Sequence, residues 1–155
     1  MSDVAEPLPP SKVLVVDDNL QNLELLEAYL EDVAEITTIG ATNGQQALEK
    51  VAAERPDLIL LDVMMPRMSG FEVCKKLKSD PATRHIPIIM VTALDEVGDV
   101  ERGVEAGTND FITKPVNRVD LLARVRTLLR MRHTGADDSA YFDEPDGAGG
   151  APSRS

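Results

Sequence analysis

The run Asp57-Leu58-Ile59-Leu60-Leu61-Asp62 governs how the rest of the chain is read. Consecutive apolar residues held between two acids neither alternate in and out nor leave a polar stripe. They read as a short strand buried on both faces. Such a strand needs parallel neighbours and helical crossovers to cover it. Upstream, Pro56 bars its predecessor from helical geometry, so a helix carrying Ala47, Leu48, Val51 and Ala52 must stop near Arg55. Asn43-Gly44 separates that helix from a weaker strand at 35–39. Before it, Leu23, Leu26 and Leu30 recur at helical spacing among Glu24, Glu27 and Glu31, and Lys12-Val13-Leu14-Val15-Val16-Asp17 opens the folded part as a first strand.

Downstream the same alternation continues. Residues 63–70 read as a loop, 71–79 as a helix and 86–92 as a strand. A helix at 96–106 closes at Gly107, a fifth strand spans 110–113, and a last helix spans 118–131. In that helix Leu121, Leu122, Val125, Leu128 and Leu129 face inward, with Arg124, Arg126 and Arg130 outward. Strand and helix alternating five times give an α/β class fold, doubly wound as (βα)5, because parallel strands require right-handed crossovers.

The 155 residues and 43% hydrophobic content suffice for one ordinary domain with a real core. A formal net charge of -11 argues against nucleic acid or anionic membrane as a partner and favours cations. The single cysteine, Cys74, has no partner for an internal disulfide and suits a reducing, cytoplasmic setting. The first ten residues carry acids and prolines where an export signal would be basic and then apolar. No apolar run approaches the roughly 18 residues of a membrane-spanning helix. Composition divides the chain into a flexible leader at 1–11, a folded domain at 12–133 and a flexible acidic tail with Gly and Pro at 134–155. Tyr141 and Phe142 lie in that tail, and Gly147-Ala148-Gly149-Gly150 lacks the strand and helix of a nucleotide loop.

Chemistry-bearing residues recur at one kind of place. Asp17 and Asp18 end the first strand, Asp62 the third, Thr92 the fourth and Lys114 the fifth. In doubly wound sheets ligands sit beyond the carboxyl ends of the strands, so these groups converge on one crevice. Crowded acids there raise one another's pKa unless a cation joins them, and Mg²⁺ matches a set of two or three carboxylates with water and phosphate. A carboxylate in that position can be a nucleophile toward phosphorus. Phosphoryl transfer asks for fixed cations and donors around spreading charge, which Lys114 and Thr92 supply.

Together these motifs resemble the receiver domains of two-component response regulators, the CheY-like family. The resemblance covers about residues 12–131 and rests on Val15-Val16-Asp17-Asp18, Leu60-Leu61-Asp62-Val63-Met64-Met65-Pro66 with Gly70, Val91-Thr92-Ala93, and Phe111-Ile112-Thr113-Lys114-Pro115. Phe71-Glu72-Val73-Cys74-Lys75-Lys76-Leu77-Lys78, with Asp80-Pro81-Ala82-Thr83-Arg84-His85-Ile86-Pro87, is more narrowly similar to receivers of the PleD type, which precede diguanylate cyclase domains. The resemblance implies a flavodoxin-like three-layer sandwich with five parallel strands in the order 2-1-3-4-5. It implies Asp62 as phosphoacceptor, Asp18 and Asp62 on Mg²⁺ or substituting Mn²⁺, Asp17 through water, and the Met64 backbone carbonyl in the metal shell. It further implies that Lys114 pairs with Asp62 or its phosphoryl group, that Lys114-Pro115 is a cis peptide, and that Thr92 and Phe111 move together on activation. Phe111 stands where many relatives carry tyrosine. The implied partners are a sensor histidine kinase or phosphotransfer protein, an unnamed downstream target, and a second copy docking through the fourth helix, fifth strand and fifth helix. Asp110, Asp120 and Arg124 match charges of the dimer ladder of DNA-binding relatives, while Val100 replaces an expected base. The expected activity is that of a signalling domain, limited to its own phosphorylation and slow dephosphorylation, with no output domain following.

Taken singly, Asp17-Asp18 reads as a helix cap, Asp62 as a turn cap, Thr92 as a strand residue and Lys114 as a solvated charge. An acid closing an apolar strand is costly unless paired or metal-bound, and five such positions meeting at one edge outweigh the separate readings. His85 and His133 fall outside the strand ends and read as a loop residue and a helix-end residue. Haloacid-dehalogenase-like phosphatases also phosphorylate a strand-end Asp, but they carry a second acid two residues on, where this chain has Met64. A receiver used without phosphorylation is disfavoured because all five site residues are present.

Overall fold

The computed structural model describes residues 8–93 and 97–134. The leader before residue 8 and the tail after 134, with Tyr141 and Phe142, lie outside the described residues. The strands are β1 (Ser11–Val16), β2 (Ile36–Ala41), β3 (Leu58–Asp62), β4 (Ile88–Thr92) and β5 (Asp110–Thr113). Between and after them run α1 (Leu20–Glu31), α2 (Gly44–Glu54), α3 (Gly70–Ser79), α4 (Val97–Ala106) and α5 (Arg118–Thr134). The strands form one sheet in the order β2-β1-β3-β4-β5, parallel throughout. The fold is therefore the doubly wound, flavodoxin-like sandwich read from the sequence, with β3 in the middle.

Strand alternation sorts the core into two layers. Val13, Val15, Leu58, Leu60, Ile89, Val91 and Ile112 pack against the inner faces of α1 and α5. Leu14, Val16, Ile59, Leu61, Ile88 and Met90 pack against α2, α3 and the end of α4. Every residue of β3 is buried, which is why its sequence shows no alternation.

Local chemistry fixes the helix ends. Asn19 caps α1 by accepting from Asn22 N, and Asn43 caps α2 by accepting from Gln46 N. Ser69 and Glu72 form a reciprocal capping box at the start of α3. Arg55 ends α2 in the left-handed region at φ 48°, directly before the buried Pro56.

Three boundaries differ from the sequence expectation by two residues or more, each for a physical reason. β4 starts at Ile88, two residues later, because Ile86 N is tied to Thr83 O in a turn and Pro87 has no amide to donate, its carbonyl accepting from Ile59 N. β2 runs on to Ala41 because it pairs with β1 as far as Val16. α5 runs on to Thr134, where His133 Nε2 meets Ser11 Oγ at 2.9 Å and Arg132 Nε lies 3.8 Å from Asp57 Oδ1. His133 is thus tied to β1. Leu8, ahead of β1, is buried in the α1/α5 layer. No helix among the described residues is long and apolar enough to cross a membrane.

Candidate functional site

The sheet brings the strand ends together by register. Val16 pairs with Leu61, Asp62 with Val91, and Thr92 with Thr113. Asp17 follows Val16 and donates its amide to Ala41 O at 3.1 Å. Lys114 follows Thr113 and donates its amide to Thr92 O at 2.8 Å. Each of these groups therefore stands at the carboxyl edge because its neighbour is locked in the ladder.

Lys114 Nζ lies 3.2 Å from Asp62 Oδ1 and 3.6 Å from Asp17 Oδ2. Asp17 is 1% and Asp62 3% exposed, while Asp18 is exposed. One carboxylate oxygen from each of Asp17, Asp18 and Asp62 falls within 4.8 Å of the others. Burial raises the Asp62 pKa to about 6, Asp17 and Asp18 push the same way, and Lys114 opposes them. One ammonium does not neutralise three carboxylates.

The donor set fits a hard divalent cation. Asp17 Oδ1 accepts from Asn19 N at 2.9 Å, which aims the carboxyl group, but the buried Asp17 Oδ2 has no hydrogen-bond partner. Its nearest cation, Lys114 Nζ at 3.6 Å, is beyond hydrogen-bond distance and is shared with Asp62, so this buried oxygen is only partly compensated. All-oxygen ligands with one exposed side are the environment Mg²⁺ favours. Asn19 was not among the residues singled out from the sequence, although an Asn after an acid pair at a helix start is the signal for such a cap.

The segment after β3 is drawn tight behind Asp62. Gly70 N donates to Val63 O at 2.9 Å, and a Cβ on Gly70 would overlap the Asp62 carbonyl oxygen and lie 2.9 Å from Val63 Cα. Only glycine lets α3 start so close to the strand end. Arg67 takes up the turn at φ 69°. The Met64 side chain is 61% exposed beside the crevice.

Thr92 is buried at the end of β4. Phe111 is half-buried against the α2–α4 layer and pairs across the ladder with Met90, so its ring shares a sheet face with Thr92. The Lys114–Pro115 peptide is cis. Asp110 and Asp120 are engaged within the chain: Arg124 Nη1 donates to both carboxylate oxygens of Asp110 at 2.7 and 2.8 Å, and its Nε to Asp120 at 3.0 Å.

Comparison with known proteins agrees with this geometry. The family model described as response regulator receiver domain matches residues 13–126. The chain is 53% identical over 123 residues to response regulator PleD of Caulobacter vibrioides, covering 79% of this chain and 27% of that protein. It is 42% identical over 128 residues to the alkaline phosphatase synthesis transcriptional regulatory protein PhoP of Bacillus subtilis, covering 83% of this chain and 52% of that protein. The chain thus spans about a quarter of one relative and half of the other. Among solved structures, the receiver domain of sensor histidine kinase PA1611 from Pseudomonas aeruginosa, with a magnesium ion in its active site cleft, superposes with a TM-score of 0.72 at 29% identity, covering 77% of this chain and 98% of that one. A signal receiver domain from a Syntrophus aciditrophicus histidine kinase gives 0.73 at 40% identity, covering 77% and 90%.

Proposed function

The chain belongs to the response regulator receiver domain family of two-component systems, and from that premise we propose that Asp62 is its phosphoacceptor. The observation that carries this reading is the Asp62 carboxylate itself, buried at the edge of the central strand, flanked by Asp17 and held 3.2 Å from Lys114 Nζ. An Asp62 oxygen attacks the phosphorus of a phosphohistidine on a kinase or phosphotransfer protein. The new O–P bond forms as the P–N bond breaks, and the electron pair leaves with the imidazole nitrogen.

Asp17, Asp18, Asp62 and the Met64 carbonyl are the residues that would hold Mg²⁺, or Mn²⁺ in its place. When bound, the ion supplies charge neutralisation for the carboxylates and the phosphoryl oxygens. Lys114 keeps a second positive charge against Asp62 in both states, and Thr92 supplies a hydroxyl donor to the phosphoryl oxygens. When Thr92 turns toward them, Phe111 follows into the space on the same sheet face, and the change in α4 and β5 alters docking of a partner or a second copy. Residues 12–133 are the unit that carries this switch. Met64 stands where an ester-cleaving relative would place its leaving-group acid, so Asp62 acts as a reversible charge trigger.

Incubation with acetyl phosphate and Mg²⁺ tests the reading by intact mass. One labile phosphoryl group is expected on the wild type, with none on Asp62→Asn and none when the metal is chelated. Multiple turnover of a generic phosphomonoester, abolished by Asp62→Asn, would instead favour a phosphatase.

A further inference from the structure

Gly103 sits in the middle of α4, where glycine costs helix stability relative to alanine, so its presence asks for a reason. The reason is on β5. A Cβ at Gly103 would overlap Cζ of Phe111 and lie 2.7 Å from its Cε1. Gly103 itself is buried, so the missing side chain is a notch in the inner face of α4 filled by the tip of the Phe111 ring. The ring enters it tip first. A tyrosine hydroxyl would extend from that same Cζ atom into the helix backbone, so the notch suits a ring without one.

We propose that Gly103 is a positioning residue for the switch: the notch it leaves in α4 seats the Phe111 ring and couples ring position to α4. This deepens the phosphoacceptor reading and rests on it for its regulatory part. Phe111 is fixed at its backbone by β4–β5 pairing and by its amide, which donates to Asp110 Oδ1 at 2.8 Å. Freedom therefore lies in the ring, and the seat that the ring meets on α4 is Gly103. A methyl group there evicts the ring or pushes α4 away, and either outcome uncouples helix from ring.

The test combines a thermodynamic cycle with a signalling readout. G103A lowers the thermal midpoint while Phe111 is present. In an F111A background the same substitution raises it, because alanine is then only the better helix former. Equal lowering in both backgrounds overturns the notch. For the switch, G103A retains the phosphoryl mass gain at Asp62, yet the amide shift changes of α4 on adding beryllofluoride fall at least twofold. An α4 response equal to wild type at equal phosphorylation overturns the positioning role. F111Y, which leaves the α4 sequence unchanged, loses the downfield ring-current shift that the ring edge gives the Gly103 α-protons; retention of that shift also counts against the notch. If wild type accepts no phosphoryl group, the phosphoacceptor reading falls and takes the regulatory role with it. The sign reversal in the cycle would still hold the ring contact.

Discussion

Asp62 holds its proton more tightly than a free carboxylate does, with a pKa of about 6 against 3.8, first because it is buried and next because Asp17 faces it. Between those two values the native state binds more protons than the unfolded chain, so this group's contribution to stability falls as pH rises through that window. Above it the native protein carries the full penalty of an ionised, crowded Asp62. Asp62→Asn removes that penalty, and metal-free thermal or urea unfolding near neutral pH is expected to show a gain on the order of 2 kcal/mol. At about pH 4 the gain disappears, since native Asp62 is then protonated. Lys114→Ala acts in the opposite sense: with the only described cation at the crevice gone, metal-free stability near neutral pH falls by about 1–3 kcal/mol. The five polar strand-end residues were legible in the sequence because all of them fall at carboxyl ends of strands, and that convergence on one edge outweighs the ordinary reading each has alone. The roles of Gly70 and Gly103 were not, since a glycine's meaning lies in which atom crowds it, and those atoms belong to Asp62 and Phe111.

At the scale of elements, the connection from β3 to α3 carries the site's precision. Gly70→Ala drives a Cβ into the Asp62 carbonyl, a backbone group that cannot swing aside, so the strand end must shift. Expected are a loss of about 1–3 kcal/mol in urea unfolding and a slower mass gain with acetyl phosphate. Ser69→Ala breaks the capping box at the same helix and costs about 1 kcal/mol. It leaves the strand end in place, so its phosphorylation rate stays near wild type. β3 was readable because its burial on both faces leaves a sequence signature, and Pro56 marked the end of α2. The late start of β4 and the long α5 were not, because they depend on Pro87 pairing through its carbonyl alone and on His133 reaching Ser11.

Across the whole molecule, one end of the sheet concentrates carboxylates in a chain whose net charge is already -11. Binding of a divalent cation there stabilises the folded state by mass action, with about 2.7 kcal/mol expected when free Mg²⁺ is a hundred times its dissociation constant. The thermal midpoint should therefore climb with Mg²⁺ near neutral pH. The climb should fade below about pH 6, where Asp62 keeps its proton, and be strongly reduced in Asp17→Asn at every pH. A midpoint insensitive to Mg²⁺ would contradict the reading of the buried Asp17 oxygen as part of the metal site. The central claim, that the phosphoryl group resides on Asp62, is tested most directly by trapping it. Protein phosphorylated with acetyl phosphate and Mg²⁺ is reduced with borohydride, which converts an acyl phosphate to the alcohol, and the site is located by tandem mass spectrometry of its peptides. Homoserine is expected at position 62 alone; reduction at Asp17 or Asp18, or a phosphorylated protein with no reduced aspartate, would overturn Asp62 as the phosphoacceptor.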